Sequence, residues 1–121
     1  MKLRRVAICL ATSSLLLACG GAAVPQERLT SVERAVSAAE AGGAPGVPKA
    51  ELHLKQARDQ LAAAKALIAD DENERADWVL QRAEADAELA LVLAREQVAK
   101  QEAQEALEQV DKLRKKLETV P

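Results

Sequence analysis

The sequence predicts an all-α protein: a three-helix antiparallel bundle or hairpin whose last helix projects past the other two as a coiled-coil-like arm. Three observations carry that prediction. One Trp, no Phe and no Tyr stand beside an abundance of Ala, Leu, Glu, Lys, Arg and Gln, the mixture typical of long helices and coiled coils. Apolar residues recur at steps of three and four, the period of one helix face. Glycine and proline cluster between residues 42 and 48 and then do not return until Pro121, so nothing breaks the last stretch.

The chain opens MKLRRVAICLATSSLLLACGG. Lys2, Arg4 and Arg5 precede an apolar run from Val6 to Leu17, the layout of a secretory signal peptide. That run is about a dozen residues, short of the roughly 20 that a spanning helix needs. Leu16-Leu17-Ala18-Cys19 resembles the lipobox of bacterial lipoproteins. The resemblance implies that residues 1–18 are cut away between Ala18 and Cys19. The Cys19 thiol would carry a diacylglycerol, and the new amine would be acylated. Three acyl chains anchor firmly where a single chain binds only marginally. Glycine rather than aspartate after the cysteine implies, by the same resemblance, the outer membrane and a periplasmic location.

Cleavage removes three cations and no anion, taking the formal charge from −2 to −5. Such an acidic chain has no electrostatic footprint for nucleic acid. Cys9 leaves with the leader, and an acylated Cys19 leaves no free thiol, so neither a disulfide nor thiolate-metal chemistry is expected. What remains, about 103 residues, is enough for one small domain.

Residues 19–25 read as a tether of small residues, with Gly20 and Gly21 leaving it slack. A first helix is expected over about 26–41, where Leu29, Val32, Val36 and Ala39 share one face. Gly42 and Gly43 end it, glycine suiting the left-handed conformation that follows many helices. "GGAPGVP" is the turn, and Pro48 can open a second helix at its first position. Leu54, Ala57, Leu61, Ala64 and Ile68 then hold a 3-4-3-4 spacing, giving a helix over about 48–69. Asp71 with Glu74 three residues on fits a capping box, placing the start of a third helix near 72. It should run to about 118, roughly 70 Å at 1.5 Å per residue. Residues 26–118 thus form a single Ala-rich helical domain.

The third helix carries two apolar stripes in its first half. One is Ala76, Leu80, Ala83, Ala87, Ala90 and Ala94; the other is Trp78, Ala85, Leu89 and Val92. Asp77, Gln81, Glu84 and Glu88 form a wet face between them. Two stripes imply two neighbours, so this half is expected to use both against the first and second helices, with Trp78 packed on the first. Beyond Val98 only the second stripe continues, through Ala99, Ala103, Ala106, Val110, Leu113, Leu117 and Val120. The other helices are too short to reach it, and a heptad-like seam with no cover in its own chain points to another chain. The competing reading is that little is buried there and the last turns fray.

"APGVPKAELHLKQARDQLAAAKALIADDENERADWVLQRAEADAELALVLARE" resembles the bacterial domain-of-unknown-function 4398 family. The likeness rests on Ala44-Pro45, the acidic turn at Asp70-Asp71 and "EADAELALVLAR". It implies an envelope lipoprotein and supplies no activity. Some family members carry an added peptidoglycan-gripping domain, and nothing within these residues corresponds to one.

No catalytic residue is expected. His53 is the only histidine, with no second His or free Cys to complete a metal site, and reads as a solvated or flanking side chain. Asp70, Asp71, Glu72 and Glu74 lack the glycine and ligand spacing of a calcium loop. Arg82 with Asp86 reads as an ordinary one-turn pair. Lys112, Arg114, Lys115 and Lys116 suit the helix dipole, with contact to an anionic envelope surface as the other use. There is no Gly-rich phosphate loop and no Ser-His pair, and no cofactor or metal is called for. The expectation is a non-enzymatic envelope lipoprotein, held to the membrane by acyl chains. Its C-terminal helix, through Ala99, Ala103, Ala106, Val110, Leu113 and Leu117, would contact an envelope protein or a second copy of itself. The alternative is a passive, self-associating periplasmic spacer.

Overall fold

A computed structural model describes residues 22–119. The leader, Ala18, Cys19 and Val120 lie outside the described residues. Among those described there are three α-helices, α1 Gln26–Ala41, α2 Pro48–Ala69 and α3 Asn73–Glu118, with a 3₁₀ turn over Ala44–Gly46. The predicted helix ends hold to within one residue. The course is up, down, up: α2 runs against α1 and α3, and Arg28 near the start of α1 reaches Asp77 near the start of α3.

Each boundary has a local cause. The Gly42 N–H returns to Ala38, and Gly43 takes a φ of 88°, a conformation that glycine adopts without cost. A Cβ at Gly42 would run into the Leu91 Cδ1 methyl, so α1 ends in close contact with α3. Ala44 is fully buried under the turn. Pro48 occupies the first turn of α2, where its missing N–H costs nothing.

The acidic turn is built differently from the expectation. No side chain caps α3, and Glu72 stands at its N-cap. Asp71 instead sits at φ 59° just after α2. Its N–H bonds to the Ile68 carbonyl at 3.1 Å and that of Glu72 to the Leu67 carbonyl at 2.8 Å. This is a Schellman ending for α2 with aspartate in the place usually held by glycine. With Asp71 left-handed, its carboxylate does not cap α3, and the capping box does not form. Asn73 is buried at the start of α3, and its Nδ2 donates to the Ala22 carbonyl at 2.8 Å.

The core is thin in side-chain volume. Of the fourteen buried hydrophobic residues among those described, ten are alanine, and the largest fully buried side chains are Leu54, Leu80 and Val32. Alanine loses no rotamer entropy in a helix and lets backbones approach closely, while contributing little area. The first stripe of α3, Ala76 to Ala94, is buried throughout as predicted.

The second stripe is not buried. Trp78 is 66% exposed, Val92 57% and Leu89 41%, and Ala85 is exposed beside them. Three helices in a triangle give each one arc of contact for both neighbours. Here the first stripe fills the middle of that arc, with Val79, Leu91 and Leu93 half-buried around it. A stripe displaced by two residues lies about 160° away at 3.6 residues per turn, out of reach of either helix. The supposed wet face is also partly enclosed, because Asp77, Gln81 and Glu84 line the edge facing α1.

Candidate functional site

Two regions of α3 hold the residues singled out from the sequence: a polar edge within the bundle and an apolar seam outside it.

The polar edge organises around Arg28 of α1, which the sequence pattern gave no reason to select. Its Nε donates to Asp77 at 2.6 Å and its Nη1 to Glu84 at 3.4 Å, while the Ser31 hydroxyl donates to the other Glu84 oxygen. The Arg28 guanidinium, with the Gln81 amide beside it, holds the Asp77 carboxyl below the usual carboxylate range. The available signal was that Asp77 and Glu84 lie two turns apart on one face, a spacing that one arginine can bridge. On the other side, His53 Nδ1 lies 3.0 Å from Asp86 and Gln60 donates to the second Asp86 oxygen at 2.9 Å. Asp86 therefore serves α2 rather than pairing with Arg82. Arg58 with Glu40 and Lys65 with Glu33 tie α2 to α1. These groups fasten helices together. Among the described residues no group of three or more His, Cys, Asp or Glu side chains gathers around a metal-sized space.

The seam is the remaining candidate. The start of α2, around Val47 and Pro48, lies beside Leu93, Gln97 and Val98 of α3, and there the bundle ends. From Val98 to Thr119 every residue but those at the very end belongs to one uninterrupted helix, and all are exposed. Ala99, Ala103, Ala106, Val110, Leu113 and Leu117 lie on one face of this arm. Val110 is 54%, Leu113 60% and Leu117 77% exposed. With Glu96 and Arg82 as its two charged positions, the face continues back through Val92, Leu89, Ala85 and Trp78, so the open seam is about twice as long as the sequence suggested. Glu96 stands on it, held by Lys100 at 2.6 Å, whose ammonium keeps its carboxyl below the usual range. Lys115 and Lys116 occupy the last turn of α3, where positive charge suits the dipole.

No helix among the described residues is long and apolar enough to cross a membrane. A family model described as a domain of unknown function, DUF4398, matches residues 27–106, most of the three helices. No curated protein and no solved structure matches the chain.

Proposed function

The chain belongs to the DUF4398 family, and from that premise we propose that it is a non-enzymatic lipoprotein of the bacterial cell envelope. It acts as a helical interaction module through the arm of α3. Cys19 carries the lipid after cleavage at Ala18, and the outer membrane, facing the periplasm, is the site of attachment.

The observation that carries this reading is the open seam. Monomeric proteins rarely leave a long contiguous apolar patch in water without a use for it, and a period of three and four residues is what another helix reads. The leader supports the anchoring half, since charge, short apolar run and Ala-Cys junction suit lipoprotein processing. The tether supports it too: Ala22, three residues after Cys19, is bonded to Asn73 at the foot of α3. Ala22 and the arm are thereby at opposite ends of the helix, which suits a lipid on Cys19 and a partner on the arm.

Two measurements test the halves separately. Cys19→Ala should abolish incorporation of labelled palmitate and release the protein from the membrane fraction. Persistence of both would overturn the anchor. Deleting residues 100–121 should leave the bundle's thermal unfolding nearly unchanged and reduce the size of the native assembly. An assembly of unaltered size would overturn the interaction module.

A further inference from the structure

We propose that the occupant of the seam is a second copy of this chain, lying antiparallel along the whole face from Trp78 to Leu117. This rests on the reading of α3 as an interaction helix and names its partner.

The face follows a heptad repeat, and its two charged members decide the direction of pairing. Arg82 and Glu96 both fall on seam positions and both are exposed. A parallel pair in register would set Arg82 on Arg82 and Glu96 on Glu96, with Arg95 beside Lys100 of the second copy. Like charges facing each other are unfavourable. It would also stack alanine on alanine at Ala85, Ala99, Ala103 and Ala106, leaving thin layers.

The antiparallel register that sets Leu117 against Trp78 of the second copy parts the two Arg82, offsets the two Glu96 by about 4.5 Å along the axis and fills the thin layers. Leu89 then meets Ala106 of the second copy, and Val92 meets Ala103. Val110 meets Ala85, and Glu96, already paired with Lys100 on its own helix, meets Ala99. Every alanine faces a larger side chain. Arg82 lies against Leu113, where its methylene stem covers apolar surface while the guanidinium reaches water. On the flanks Arg95 faces Glu102 of the second copy, and symmetry makes that pair twice. Neither residue has an ion-pair partner within the described residues.

Neighbouring registers lack this match. Sliding one heptad one way brings Lys100 onto Lys100 and Glu102 onto Glu102. Sliding the other way brings Arg95 onto Arg95 and Glu88 onto Glu102. The chosen register is also the one that overlaps the seam completely, about 59 Å at 1.5 Å per residue. That is more than the three to four heptads that mark a coiled coil.

The test places photoreactive benzoylphenylalanine at Leu117 in the full chain, expressed in its native envelope, and maps the crosslinked peptides. Within one helix Leu117 and Trp78 are about 59 Å apart, so a crosslink between their peptides is necessarily intermolecular. Products joining Leu117 to the peptide around Trp78 are expected. Products joining Leu117 to its own peptide would overturn the antiparallel register. Products with another protein alone would overturn the second copy and leave the interaction module standing. No product of any kind would overturn both. A charge swap adds an independent readout by sedimentation: Arg95→Glu should raise the dissociation constant about three- to tenfold, and adding Glu102→Arg should restore it. An unchanged constant in Arg95→Glu would also overturn the pairing.

Discussion

Asp71 has the one positive φ among the described residues other than glycine. Aspartate tolerates the left-handed region better than most side chains, yet its Cβ still meets the following carbonyl. Asp71→Gly should therefore stabilise the protein by up to about 1 kcal/mol, and Asp71→Val should destabilise it by more, both read from urea midpoints. Arg28 gives the second prediction at this scale. The Asp77 carboxyl is lowered from its ordinary 3.8 by Arg28. A lowered folded-state pKa contributes stability above the unfolded value and loses it as pH falls through the folded one. Arg28→Ala should cost about 1 kcal/mol or less at neutral pH, the half-exposed pair being screened by solvent. The gap from wild type should close as the pH drops below about 4; a gap independent of pH would mean that Arg28 acts by packing alone. Neither residue's role was legible beforehand. The motif "DDEN" supports a capping box and a Schellman ending equally well, and only the backbone at Asp71 decides. Arg28 finds its partners some fifty residues along the chain, a distance over which spacing carries no signal.

At the scale of the element, α3 presents two faces with the same repeat and opposite fates. The helices themselves were legible almost to the residue, because glycine, proline and the 3-4 spacing act locally. Which stripe would be buried was not, because each has the alanines and leucines of a packing surface. Volume separates them in hindsight. The buried stripe has a single residue larger than alanine between Ala76 and Ala94, namely Leu80, whereas the open stripe carries Trp78, Leu89 and Val92. Close approach of two helices to one face selects the smaller stripe. Ala87→Leu should accordingly cost about 1–3 kcal/mol in unfolding free energy, since the added atoms have no space between the helices. Ala103→Leu, on the open arm, should stay within about 0.5 kcal/mol when measured on dilute protein. Equal costs would mean that the two faces are not buried and open as described.

For the whole molecule, the direction of the chain gives the pairing a consequence that the monomer does not have. Asn73 holds Ala22 at the foot of α3, so the described chain of each copy begins at that end. An antiparallel pair would then carry the two Ala22 residues at opposite ends of the coil. Spin labels at Glu74, exposed in the first turn of α3, should lie about 70 Å apart in the proposed dimer, counting 1.5 Å per residue along the shared axis. A parallel pair would hold the same labels near the separation of the helix axes, about 8–10 Å plus the label arms. Dipolar spectroscopy distinguishes the two without ambiguity of scale. If each copy bears lipid at Cys19, the long distance also constrains the assembly as a whole. With both anchors in one membrane, the coil must lie along the surface. With anchors in two facing surfaces, it must bridge them at about the length of the seam. Charge reversal at the proposed Arg95–Glu102 contacts at its centre should deplete the population at 70 Å before it disturbs the fold of either bundle.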